Sequence, residues 1–309
     1  MTTSDAPIWA CEADGDIMNL IQQILDGLAS GSVYAALALA LVLVHRSTGI
    51  VNFSQGQMAV MSTYLAWSLQ NAGVPVWGAV LIAIVVSGIA GALVERFLIR
   101  RFEGREELAA IVVTVALLIC VNGLVSLIWG TVLKRFPSGF PRGGVRAGDG
   151  TIGYGALGTV AALLVVVLLL NLLFRRTRLG LAFRSVAADP GSSALLGLPV
   201  GRLLMLGWGL AAAIGALAGC LVAPKLYLAP EMMDSVLIYA LAAAVLGGLD
   251  SASGAVLAAW FIGITENLAG AYVDVIGSDM KIAVPLVLMV LILLVKPEGV
   301  FGRKEVQRV

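Results

Sequence analysis

Nine apolar runs follow one another along the chain, at about residues 20–44, 55–70, 76–98, 108–130, 155–174, 203–223, 236–249, 252–272 and 280–295. A helix needs roughly 20 apolar residues to cross a hydrocarbon core of ~30 Å. Within lipid the backbone must satisfy its own hydrogen bonds, so such runs form helices and not irregular chain. The runs therefore predict an all-α polytopic membrane protein with about eight to nine transmembrane helices. Composition agrees: 60% of the 309 residues are apolar and only 13% charged, with 36 glycines. Soluble domains carry roughly a quarter charged residues. Mean hydropathy is +0.98. A net charge of +1 gives no case for nucleic-acid binding. Cys11, Cys120 and Cys220 have neither metal spacing nor a paired pattern, and the last two read as small packing residues.

Charge sets the expected orientation. Residues 1–19 contain no Lys or Arg but carry Asp5, Glu12, Asp14 and Asp16. That is unlike a cleavable signal and suits an extracytoplasmic N-terminal tail. With nine crossings, segments 45–54, 96–107, 175–202 and 296–309 lie inside and hold 1, 4, 5 and 4 basic residues, 14 of the 20. The basic outer loop 131–153 runs against this bias. The transmembrane region is expected over 20–304, with 305–309 as a cytoplasmic tail.

Two runs are unusual. Segment 236–249 has 14 residues, about 21 Å of helix at ~1.5 Å per residue. Segment 55–70 is also short and begins polar. Each meets a Gly- and Ser-containing break, GIVNFSQG before the first and GGLDSASG after the second. Broken backbone at membrane depth is tolerated where protein or a water-filled cavity satisfies it, and paired short segments point to a transport path. Asn52, Ser54, Gln55 and Gly56, with Gly247, Gly248, Asp250 and Ser251, are the candidate path residues. Asn52 or Ser54 is expected to cap the helix from Gln55, and Asp250 or Ser251 the helix from Ala252. Helix N-termini there suit a substrate carboxylate. The alternative is an ordinary pair of capped loops at the membrane face.

Other polar residues carry less. His45, the only histidine, reads as interfacial and not catalytic. Glu266 and Asn267 read as solvated or cavity-facing near the outer end of their helix, ahead of a pore role. Asn122 suits an interhelical hydrogen bond. Residues 140–150 read as a Gly- and Arg-rich, mobile outer loop.

Segment 175–202, RRTRLGLAFRSVAADPGSSALLGLPVGR, is the longest soluble-looking stretch of helical character. Its spacing predicts a short helix with one apolar face. Such a helix lies in the headgroup region or docks a soluble partner. Pro190-Gly191 predicts a helix–break–helix. The sequence contains no phosphate-cradling G-x-x-x-x-G-K-[ST] and no second histidine for a catalytic pair. Active transport then needs an ion gradient or a partner.

Four stretches in order resemble the permeases of branched-chain amino acid ABC importers. Gly27, Gly31, Ser32, Tyr34 and Ala35 with Gly49, Ile50, Asn52, Phe53 and Gly56 are similar to the opening two spans. Arg184-Ser185-Val186-Ala187-Ala188-Asp189 with Leu195-Leu196-Gly197 is similar to the cytoplasmic coupling loop. The run AAAVLGGLDSASGAVLAAWFIGITENL and the end Lys296-Pro297-Glu298-Gly299-Val300-Phe301-Gly302 complete the pattern. Pro190-Gly191, Pro199 and the basic outer loop depart from it. The resemblance implies a multi-pass protein of the bacterial inner membrane with a cytoplasmic C-terminus. It implies ATPase subunits, a second permease subunit and a periplasmic substrate-binding protein as partners, besides the lipid bilayer. ATP is then bound by the partner subunits, and this chain carries no cofactor, metal or catalytic residue. Arg184, Ala187, Ala188, Asp189, Leu195, Leu196 and Gly197 are the implied ATPase-coupling residues. Substrates in such systems include leucine, isoleucine and valine, with urea, amides and aromatic acids as alternatives. A self-sufficient secondary transporter is the competing reading.

Overall fold

The computed structural model describes residues 8–102, 107–147, 150–272, 280–296 and 299–302. Eleven α-helices lie among them: α1 (Ile8–Thr48), α2 (Gln55–Asn71), α3 (Val76–Phe97), α4 (Glu107–Trp129), α5 (Tyr154–Arg176), α6 (Arg178–Ala188), α7 (Pro190–Leu195), α8 (Val200–Leu226), α9 (Asp234–Gly247), α10 (Ala252–Tyr272) and α11 (Ala283–Val295). Among the described residues, six helices are long and apolar enough to cross a membrane: α1, α3, α4, α5, α8 and α10. The other three that fall on predicted runs are shorter, α2 with 17 residues, α9 with 14 and α11 with 13. Every one of the nine runs forms a helix. The first begins at Ile8, well before the expected position near 20.

Helix α1 is the axis of the bundle. The most apolar window of its Asn19–Thr48 stretch is 89% buried, against 11% for that of α5 and 17% for that of α4. Helices α4 and α5 present Leu127, Val112, Leu168 and Leu169 outward, as a lipid-facing wall does. Around α1 pack α10, α8, α9 and α5. The α1–α10 contact depends on missing side chains. A Cβ on Gly27 would stand 2.7 Å from the Ile264 Cα, and one on Gly31 would stand 2.7 Å from the Ala259 carbonyl oxygen. Small residues let membrane helices approach to backbone contact, where dispersion and hydrogen bonds replace the hydrophobic drive. Ser32 Oγ takes the Trp260 indole N–H at 3.0 Å across the same seam.

Helices α3 and α8 meet in the same way through Gly88, Gly91 and Gly209. Ser87 bridges their neighbourhood, its Oγ 2.9 Å from that of Ser62 and 3.0 Å from the Ala212 carbonyl. Cys220 is buried, whereas Cys120 is exposed on the wall. The loop between α4 and α5 carries further structure. It contains an antiparallel hairpin, β1 (Gly144–Ala147) with β2 (Gly150–Gly153), and Lys134 pairs with Leu228 through two backbone hydrogen bonds. The peptide groups of a Gly-rich loop have satisfied one another there, which composition does not reveal.

Candidate functional site

Between α1 and α2 the chain re-enters the bundle. Gly49, at φ 72°, ends α1 with its N–H on the His45 carbonyl at 2.7 Å. Residues 50–54 are non-helical and end among buried side chains: Asn52 and Ser54 are fully buried and Gln55 nearly so. Irregular backbone at this depth requires partners. Asn52 supplies them. Its Oδ1 accepts from the Ser54 amide at 3.1 Å and hydroxyl at 2.7 Å, and its Nδ2 donates to Gln55 Oε1 at 3.0 Å. Gln55 Nε2 then donates to the Ala211 carbonyl of α8 at 2.9 Å. Ser54 occupies the position before α2 but makes no side-chain cap, so Asn52 does the work through a turn. These three residues form a closed, mutually satisfied knot that holds the start of α2 inside the protein.

The helix that meets this start is α9. Gly56 faces the Leu237 side chain and the Met233 carbonyl at its N-terminus, 3.4 and 3.5 Å from a Cβ added to the glycine. Gln57 Nε2 donates to Asp234 Oδ1 at 3.0 Å and to the Pro230 carbonyl at 3.2 Å. Two helix N-termini thus converge within the bundle. The second group of predicted path residues lies elsewhere, at the far end of α9. Gly247 packs against Gly254, and a Cβ on Gly248 would stand 2.7 Å from the Gly302 nitrogen. Val300 donates its N–H to the Leu246 carbonyl at 2.8 Å. The α9–α10 turn and residues 299–302 are therefore one packed unit, and two of the four sequence motifs fold onto each other. Pro297 and Glu298 lie outside the described residues. Ser251 caps α10, accepting the Gly254 N–H at 3.1 Å. Asp250 is exposed and stands 3.8 Å from His45 in the last turn of α1. The fold does not bring Gly247–Ser251 together with Asn52–Gly56.

The coupling segment is helix–break–helix. Thr177 opens α6 by accepting the Gly180 N–H at 3.1 Å. Asp189 ends it in extended backbone at φ −157°, and Pro190 begins α7 at its first position, where a missing N–H costs nothing. Asp189 caps α7 through Ser192, accepting its N–H at 3.0 Å and its hydroxyl. Those bonds from Ser192 hold the Asp189 carboxyl below the usual carboxylate range. One face of α6 buries Phe183 and Val186 against Leu203 and Leu204 of α8. Arg184, Ala187, Ala188 and Asp189 are exposed, as is Gly197 at φ 80°. Leu195 and Leu196 are 91% and 81% exposed. A helix resting flat on lipid turns its leucines toward its own apolar face. Here the apolar face of α6 is already used by the protein, and the two leucines stand bare beyond it.

Two further clusters escaped the sequence reading. Glu95 on α3 is fully buried and paired with Arg100, which also reaches the Gly201 carbonyl at the start of α8. Glu266 is buried, not solvated. Its Oε2 accepts from the Tyr34 hydroxyl at 2.9 Å, and Tyr34 stacks on Tyr239 at 4.6 Å between centroids. Asn267 Nδ2 reaches the Gln23 carbonyl at 3.5 Å, the outer limit for such a bond. A carboxylate 232 residues from its partner has no local signal. The Arg100 pair is only five residues apart, but Arg100 enters the sequence reading solely as one of the basic residues of segment 96–107, and Glu95 not at all.

Residues 23–293 match the model of the family described as branched-chain amino acid transport system / permease component. The chain belongs to this permease family. The permease is 28% identical to the high-affinity branched-chain amino acid transport system permease protein BraD of Pseudomonas aeruginosa, over 95% of this chain and 99% of that one. It is 30% identical to LivH of Escherichia coli, with 94% and 97% covered. The probable LivH of Methanocaldococcus jannaschii aligns at 27% over 91% and 92%. The permease thus matches these relatives over more than nine-tenths of both chains, and its apolar helices are those of a polytopic membrane protein.

Proposed function

We propose that this permease is the transmembrane subunit of an ATP-driven importer that passes branched-chain or related amino acids across the bacterial inner membrane. The observation that carries the reading is the family match across residues 23–293, with relatives named for this transport aligned along their whole length. Separate ATPase subunits bind and hydrolyse ATP, and this chain holds no nucleotide. A second permease subunit and a periplasmic substrate-binding protein complete the assembly. The N-terminus lies outside and the C-terminus in the cytoplasm, in keeping with the distribution of Arg and Lys. In this orientation α6 and α7 are cytoplasmic and meet the ATPase through Arg184, Ala187, Ala188, Asp189 and the exposed Leu195, Leu196 and Gly197. Two bare leucines on a soluble loop support that docking, because a protein partner is what covers such a patch. The knot at Asn52–Gln55 and the meeting of α2 with α9 support a path between these helices.

Affinity purification of the tagged permease from its host tests the reading. The expected result is co-purification of a nucleotide-hydrolysing subunit at a stoichiometric level. Gradient-driven amino acid uptake by the chain alone would overturn it.

A further inference from the structure

A groove between the last turn of α1 and α6 holds two cations that the fold leaves unpaired. It is lined by Leu43 and Arg46 of α1, Phe174 of α5, and Phe183, Arg184 and Ala187 of α6. Arg46 is half-buried and Arg184 exposed. Among the described residues the ion pairs are His45 with Asp250 and Arg100 with Glu95, so neither groove guanidinium meets a carboxylate. Neither makes a hydrogen bond or lies over an aromatic ring among those residues. The acids on neighbouring elements are already engaged, Asp250 by His45 and Asp189 by Ser192. Phe174 and Phe183 meet edge to face with centroids 5.6 Å apart and form the apolar side of the groove. A guanidinium carries five N–H donors and no acceptor. Two of them in one partly apolar groove repel, and desolvation raises that cost unless an anion lies between them.

The level of the groove narrows what that anion is. Arg46 stands in the last turn of α1 and Phe174 in the last turn of α5, which ends on Arg175 and Arg176. Both helices are long and apolar enough to span a bilayer, so their shared end lies where the headgroups lie. We propose that the groove seats the phosphate of an anionic phospholipid between Arg46 and Arg184, with the glycerol and upper acyl carbons against Leu43, Phe174 and Phe183. Guanidinium forks match phosphate oxygens in pairs. Basic pockets between membrane helices select anionic headgroups. A zwitterionic lipid carries its own cation beside the phosphate and gains less there. The bound lipid bridges α6 to α1 and so fixes the coupling segment against the axis of the bundle. Leu195 and Leu196 of α7 lie outside the groove. The inference needs α1 and α5 to span the bilayer and does not depend on what the permease transports.

Native mass spectrometry of the full-length permease, purified in detergent and stripped of lipid, tests the site with phosphatidylglycerol and phosphatidylcholine as probes. The expected result is one retained phosphatidylglycerol per chain and weaker retention of phosphatidylcholine. Equal retention of the two overturns the site. Arg46→Gln with Arg184→Gln is expected to lower phosphatidylglycerol retention at least about tenfold, the scale of losing two cations at an anionic surface. Arg101→Gln with Arg202→Gln removes two exposed arginines that do not line the groove and should leave retention unchanged. Unchanged retention in the first pair, or an equal loss in the second, overturns the site. Displacement of the lipid by millimolar inorganic phosphate overturns it in favour of a soluble anion. Should the first pair not fold, Ala187→Glu decides, because it puts a negative charge at an exposed position of the groove. It is expected to lower retention, and unchanged retention overturns the site.

Discussion

Arg100 grips Glu95 with two parallel hydrogen bonds, Nε to Oε1 at 3.1 Å and Nη2 to Oε2 at 2.8 Å, and its Nη2 also holds the Gly201 carbonyl. Glu95 is fully buried at the end of α3, and Gly201 is the second residue of α8. The pair therefore ties α3 to the helix that leaves the coupling segment. Arg100→Ala strands a buried carboxylate and is expected to destabilise the permease by about 3 kcal/mol. Glu95→Gln, which keeps one of the two acceptors and removes the charge, costs less. Thermal unfolding of the detergent-purified protein should rank the Ala variant below the Gln variant.

The seam between α1 and α10 makes a second prediction. Gly31→Leu drives a side chain into the Ala259 backbone, 2.7 Å from where its Cβ would stand. Overpacking of this kind costs roughly 1–3 kcal/mol. Gly123 on α4 has nothing within 4 Å of its added Cβ. Gly123→Ala is expected to be neutral or to stabilise by up to about 1 kcal/mol, since Ala is the better helix former. Equal unfolding midpoints for Gly31→Leu and Gly123→Ala would contradict this packing account.

Gln55→Ala removes the donor that satisfies the Ala211 carbonyl and the acceptor that satisfies Asn52. Leaving such buried groups unpaired costs about 1–3 kcal/mol. The expected outcome is a lower unfolding midpoint together with faster labelling of a cysteine placed at Ser54, as the knot loosens.

The coupling segment is expected to behave differently under substitution. Leu195→Glu with Leu196→Glu changes two exposed side chains, so the unfolding midpoint should stay within ±0.5 kcal/mol of the parent. ATPase co-purification should fall at least about tenfold, the scale of losing a hydrophobic anchor. A stable variant that retains its ATPase would place docking elsewhere.

Asp189 gives a pH prediction with a definite sign. Its carboxyl is held low by Ser192, so the cap is fully present above the ordinary carboxylate pKa of ~3.9 and is lost only as pH falls through its lower native value. Between about pH 5 and pH 8 the α6–α7 junction should therefore bind its partner with unchanged affinity. A titration centred near neutrality would assign the pH dependence to another group.

Much of this molecule was legible in the sequence because the signals are local. Apolar run length located nine helices, Pro190 marked the break between α6 and α7, and Ser251 read correctly as a possible cap. The exact use of the α1–α2 turn was less legible, because Ser and Asn both suit a cap and only the folded chain chooses Asn52. Contacts that depend on helix crossing left no pattern. Gln57 with Asp234 and Tyr34 with Glu266 join residues far apart in sequence, and their pairing follows from how α9 and α10 lean on α1. The same cause separated the two candidate path segments. GIVNFSQG and GGLDSASG look alike as Gly- and Ser-containing breaks, but one precedes its short helix and the other follows it, so they sit at opposite ends of α9.

The most direct measurement is leucine uptake by proteoliposomes that contain the permease with and without its ATPase subunits. The account predicts uptake that requires the ATPase subunits and ATP on the side of α6 and α7, and that does not respond to a proton or sodium gradient. Uptake by the permease alone, driven by such a gradient, would contradict it.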